Sequence, residues 1–188
     1  MGSFEGKITT DFEEHSWQSK PETRDFLVYL QQHKAVRDRI KAERNKTLLY
    51  AGHFFAPIWK ELESFQRKHP GTIQILPDVL GKLPAPPGSP GTLKDHVDAL
   101  THKVPPPDGL IIWKALSGIF ASNSEGIVYF SVGSGVNPKD KVFPSTEIAV
   151  LARNPNISAE AKSMVEYYQR CVREKRFDMN AGFLPAGF

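Results

Sequence analysis

Cysteine occurs once in this chain, at Cys171. A lone thiol excludes an internal disulfide and any paired-cysteine metal knuckle, and it suits a reducing compartment. Apolar runs are short, and the start MGSFEGKITTDFEEH holds no basic leader followed by an apolar segment. A secreted or membrane-spanning protein is therefore disfavoured, and the expectation is a soluble, cytoplasmic one. Without an export signal, the glycosylation-type tripeptides at Asn45 and Asn156 are chance matches, and Gly6 leaves a myristoylation signal incomplete. Charge of one sign is also scarce: 24 Lys and Arg stand against 21 Asp and Glu, a net +3, with the bases interspersed among acids. That mixture, without a zinc, RNA-recognition or helix-turn-helix framework, disfavours a nucleic-acid partner. There is no internal repeat or sustained heptad, which excludes a solenoid or coiled coil.

What is present describes a folded chain. Its 188 residues, 40% hydrophobic and 24% charged, suffice to bury a substantial core. After an N-terminal arm over residues 1–18, Ser19 and Glu22 have the spacing of a capping box around Pro21, which predicts a helix to about residue 44. The next helix, over residues 54–68, carries Phe55, Trp59, Leu62 and Phe65 near one face, an aromatic stripe that serves a core better than a cofactor. His69, Pro70 and Gly71 end it.

Residues 72–76 read as a short strand, and residues 81–91 (GKLPAPPGSPG) hold too much proline for a ladder or helix, so they form a loop, lid or semi-rigid linker. Helices are predicted over residues 92–101, 109–120 and 158–176, the last with Cys171 on its apolar side. The apolar run of residues 48–51 leads into Gly52 and His53, and strands are predicted over residues 126–132 and 146–151. Together these give an α+β protein: a single compact domain over residues 19–188, with a small antiparallel or mixed sheet packed by several helices.

The most organised stretch is GIVYFSVGSGVNPKDK, residues 126–141. An apolar strand there runs into a glycine turn whose amides can approach an anion, with Lys139 and Lys141 to neutralise charge and Ser134 beside the ligand. The spacing is not that of a phosphate-binding loop, and no GxSxG pattern makes Ser134 a nucleophile. His53, at a loop-to-helix boundary beside Phe54 and Phe55, is the candidate base. Glu147, placed at the start of the 146–151 strand, is the candidate to orient or accept a proton at the same mouth. Asp95, Asp98 and His102 share a helix side opposite Leu93, Val97 and Leu100, as secondary acid-base or cation-binding candidates, although that side points first to solvent. No motif commits these residues to a metal, and no cofactor is named by the sequence.

Three functional classes remain. The leading one is a small-molecule-processing enzyme using acid-base or anion-stabilising chemistry through His53 and Glu147, with Ser134, Lys139 and Lys141 holding the ligand. The alternative is a noncatalytic interaction or regulatory module with a protein partner, suggested by the proline-rich segment and the basic residues Arg37, Arg39, Lys41 and Arg44. Weak nucleic-acid binding comes third.

Overall fold

The computed structural model describes residues 20–51, 55–104, 108–132, 142–176 and 182–188. In chain order these form α1 (Pro21–Gln32), α2 (Lys34–Arg39), β1 (Thr47–Ala51), α3 (Phe55–Lys68), α4 (Leu76–Leu80), α5 (Leu93–Lys103) and α6 (Asp108–Ser122). After them come β2 (Val128–Val132), a π-helix (Phe143–Glu147), α7 (Ile148–Leu151) and α8 (Ala159–Arg173). The fold class is α+β, with a small sheet among many helices. The described residues of 20–41 and 76–122 gather in one compact unit, and those of 42–75 and 123–188 in another.

The first unit is helical. In α1, Thr23, Phe26, Leu27 and Leu30 are buried at spacings of three, four and seven, the stripe a core-facing helix requires. Leu93, Val97 and Leu100 do the same for α5. Helix α6 is apolar nearly all round and is the central post: α1, α4 and α5 all pack on it, and its Ile112, Leu116, Ile119 and Phe120 are buried. Each such side chain contributes roughly 1.5–3 kcal/mol by leaving water.

The start of α1 differs from the expected capping box. Ser19 lies outside the described residues, Lys20 occupies the cap position, and no side chain of α1 caps the helix. A buried carboxylate from elsewhere does the work: Asp108 Oδ2 accepts from the Lys20 amide at 2.7 Å and from the Thr23 hydroxyl at 3.0 Å. The helix expected to reach residue 44 also breaks at His33, where ψ is 74°. Arg37 spans the break, its Nη1 donating to the carbonyl oxygens of Leu30, at 2.7 Å, and of Gln31. The basic residues therefore do not form one recognition helix, since α2 ends at Arg39.

In the second unit, β1 and β2 pair in parallel with Thr47 opposite Val128 and Ala51 opposite Val132. Residues Val128, Phe130 and Val132 are buried while Tyr129 and Ser131 are half-buried, the two-residue alternation of a strand. The sheet gains a mixed character from single bridges: Thr47 with Gln74 in parallel, and Phe130 with Phe183 antiparallel. Leu48, Leu62, Phe65, Ile73 and Ile75 form a core against which Tyr50, Tyr129 and Phe188 pack. A second aromatic knot joins Phe130, Phe143 and Tyr168, with ring centroids 5.2–6.3 Å apart. Burial pushes the Tyr168 phenol well above its ordinary pKa, with Tyr167 and Cys171 adding to the shift.

Two predicted strands are corrected. Residues 72–76 contribute only the bridge at Gln74, whose amide donates to Lys46 O at 2.7 Å, and Leu76 already begins α4. Residues 146–151 are helical. Their apolar run is too short for periodicity to separate strand from buried helix, and Pro144 in the first turn favours a helix start. The Ile148 amide donates to Phe143 O, the five-residue step that defines the π-turn.

Gly126, just before β2, has φ +72°, and a Cβ there would lie 1.9 Å from Asn45 Oδ1, which accepts from the Ile127 amide at 2.8 Å. Only glycine permits that approach.

Candidate functional site

The catalytic arrangement expected from the sequence falls partly within the described residues. His53, Ser134, Lys139 and Lys141 lie outside them. Glu147 lies inside and is buried, 7% exposed, at the end of the π-helix rather than on a strand. That helix packs against β1 and α8. The parallel register ends both strands together, Ala51 opposite Val132. His53 is the second residue after Ala51 in the chain, and Ser134 the second after Val132.

The secondary candidates do not converge. Asp95 closes a capping box at the start of α5: its Oδ2 accepts from the Thr92 amide at 2.8 Å and from the Thr92 hydroxyl at 2.7 Å, while the Asp95 amide donates to Thr92 Oγ1 at 3.2 Å. Hydrogen bonds from the Thr92 backbone and then its hydroxyl hold the Asp95 pKa below the ordinary carboxylate value. Asp98 pairs instead with Lys94 at 2.5 Å, a half-exposed pair four residues apart on the same helix. His102 turns Nδ1 to the Asp98 carbonyl oxygen at 2.6 Å. Three potential ligands are thus engaged in three separate contacts, and no cluster of three or more His, Cys, Asp or Glu suited to a metal occurs among the described residues.

Asp95 belongs to a feature that the sequence reading did not assemble, a groove of about 710 Å³ in the first unit. One wall is Glu22, Asp25, Phe26 and Tyr29 of α1. The facing wall is His96, Ala99, Leu100 and Lys103 of α5, with Asp95 at its end, and the proline-rich loop adds Pro86, Ser89 and Pro90. Each helix contributes residues spaced three, four and seven apart, so one strip of each surface faces the cavity.

The loop is not the open linker its prolines suggest. Its base is closed by Leu93 N to Leu83 O at 2.7 Å and Ala85 N to Gly91 O at 3.2 Å, with a bridge between Pro84 and Thr92. Gly91 permits this closure: its φ is +79°, and a Cβ would sit 2.7 Å from Asp95 Oδ2.

Electrostatically the groove is acidic. Glu22, Asp25 and Asp95 contribute three carboxylates against the single ammonium of Lys103. The His96 ring rests 5.3 Å from that of Phe26. Partial burial, and secondarily the Lys103 charge, lowers the pKa of His96, which favours the uncharged imidazole. Phe26 and Tyr29 stack at 6.3 Å along the opposite wall.

Comparison with protein-family models, curated proteins and solved structures returns no match, so the chemistry rests on these residues alone.

Proposed function

We propose that the chain is a small-molecule-processing enzyme that performs acid-base chemistry where β1 and β2 end. The observation that carries this reading is the shared end of two parallel strands, Ala51 beside Val132, with the π-helix that bears Glu147 packed against β1. Ligands of parallel sheets collect beyond the carboxyl ends of the strands, because the connecting segments diverge there. Single π-turns inside helical segments recur at functional sites.

In this reading His53 takes the proton from the substrate and Glu147 orients the imidazole or accepts the proton in turn. Lys139 and Lys141 balance an anionic substrate, and Ser134 offers a hydroxyl or amide to it. The protein works in the cytoplasm, consistent with its single thiol; no helix among the described residues is long and apolar enough to cross a membrane.

The test begins with native purification and mass spectrometry of any retained ligand, followed by turnover assays on metabolite and nucleotide panels. His53→Gln and Glu147→Gln are each expected to lower kcat by about 10²–10⁴-fold, the usual worth of a positioned acid or base. Unchanged kcat in both variants, with their folded spectra intact, refutes the assignment.

A noncatalytic interaction module is the second reading, favoured by the groove that the proline-rich loop helps to line. It predicts binding that survives replacement of both His53 and Glu147, without turnover of any panel member.

A further inference from the structure

We propose that the groove between α1, α5 and the proline-rich loop is a docking site for a short basic segment of a partner protein, gripping lysine or arginine side chains. This proposal is independent of the strand-end chemistry, which involves the other unit.

Charge selects the occupant. The groove presents three carboxylates against one ammonium, a local balance of −2, in a chain whose overall formal charge is +3. An acidic recess on a basic protein attracts cations locally while the molecule as a whole repels them, so polycations gain nothing from the remaining surface. Glu22 and Asp25 are exposed on α1, and neither carboxylate makes a hydrogen bond or an ion pair with another described residue. They are available to a cationic head.

The apolar part of the groove matches the rest of such a side chain. Phe26, Tyr29, Leu100, Pro86 and Pro90 line it beside the carboxylates. Lysine and arginine lay their methylene stems on apolar surface and keep the charged head at its rim, and an aromatic face adds cation–π attraction.

Length selects a segment rather than a single side chain. From residue 22 to 29 along α1, and from 95 to 103 along α5, the walls run about 10–12 Å at the helical rise. At the rise of an extended chain that accommodates three or four residues. The site is also built before binding, because the capping box and the hydrogen bonds at the loop base already fix its edges, which lowers the ordering cost of association. The chain's own N-terminal arm does not fit the chemistry: residues 1–18 contain Glu5, Asp11, Glu13 and Glu14 against Lys7.

The experiment uses the full chain and a fluorescein-labelled tetralysine peptide, followed by anisotropy, with labelled tetraglutamate as the control. Tetralysine is expected to bind and to weaken with added salt, and tetraglutamate to bind at least tenfold more weakly despite the positive net charge of the protein. The double variant Glu22→Gln with Asp25→Asn should lose at least tenfold in tetralysine affinity, and Tyr29→Ala several-fold, with far-ultraviolet spectra and thermal midpoints unchanged for the exposed pair. Absence of tetralysine binding at millimolar concentration, equal binding of tetraglutamate, or unchanged affinity in the double variant overturns the proposal. So does concentration-dependent self-association that the double variant abolishes, which would make a second copy of the chain the occupant.

Discussion

Replacing Asp108 should unfasten the first unit at a single point. Its carboxylate is buried and takes two bonds through Oδ2, from the Lys20 amide at 2.7 Å and the Thr23 hydroxyl at 3.0 Å. Thr23 is itself fully buried, and the Lys20 amide heads a helix that has no side-chain cap of its own. Asp108→Ala therefore leaves two donors seeking partners and removes a negative charge from the first turn of α6, where the helix dipole favours it. Each bond to a charged acceptor is worth about 1.5–3 kcal/mol, and the two share one oxygen, so a loss of about 2–4 kcal/mol is expected. Asp108→Asn keeps one acceptor oxygen and should lose about 1 kcal/mol, chiefly the charge. The assay is urea unfolding followed by far-ultraviolet dichroism, read as the midpoint at constant slope. A double-mutant cycle with Thr23→Val isolates the hydroxyl's share, with a coupling of about 1–2 kcal/mol. Loss below about 0.5 kcal/mol in Asp108→Ala, or zero coupling in the cycle, refutes the idea that this carboxylate caps α1 from across the unit.

Thr47→Val should stabilise the protein by about 1 kcal/mol in the same unfolding assay, because Thr47 Oγ1 is buried without a hydrogen-bond partner and valine suits the strand equally well. Gly91→Ala should cost about 1–2 kcal/mol, from positive φ and the clash with Asp95, and should weaken tetralysine binding with it. For His96 the folded pKa is lowered, so the unfolded chain binds more protons and stability falls as pH drops below about 6.5. His96→Phe should flatten the Tm profile between about pH 5 and 7, and an unaltered profile would remove His96 as its source. Cys171, 1% exposed on α8, should react with a thiol reagent only as fast as the protein opens, and labelling at the rate of a free thiol contradicts its buried position.

Helices with a clean apolar stripe were legible from the residues. Leu93, Val97 and Leu100 are buried where their spacing puts them, since burying one face of a helix needs no knowledge of its partner, whereas of Trp113, Leu116 and Phe120 on the nearly all-apolar α6 only the last two are buried and Trp113 is half-buried. The strand ending at Val132 was legible as the apolar run Ile127, Val128, Tyr129 and Phe130; the alternation that buries Val128, Phe130 and Val132 and leaves Tyr129 and Ser131 half-buried comes from the fold. Residues 146–151 were not, because four apolar residues fit a buried strand and a buried helical turn alike, and the deciding contacts are the distant rings of Phe130 and Tyr168 around Phe143. The break at His33 was hidden as well. Nothing in QQHKAV forbids a continuous helix, and the Arg37 guanidinium that satisfies the freed carbonyl groups acts from across the kink.

The groove shows why a site is harder to read than a core. Glu22, Asp25, Phe26 and Tyr29 have the same helical spacing as a buried stripe, and so do His96, Ala99, Leu100 and Lys103, but each strip mixes charge with apolar surface. A moment calculated from hydrophobicity alone cancels over such a strip, whereas a cavity wall requires that mixture, apolar to hold a ligand and polar to orient it. Phe26 and Leu100 belong to both patterns, each buried in the core yet bordering the groove. The signal available in the sequence was therefore the second periodicity beside the first: an amphipathic helix whose polar edge repeats in step with its apolar face. Asp95 was weighed there as a secondary acid-base or cation-binding candidate on a helix side that points first to solvent. What redirects Asp95 is the proline-rich loop, closed onto the start of α5 by Leu83 and Gly91, which makes one flank of an exposed helix into a wall.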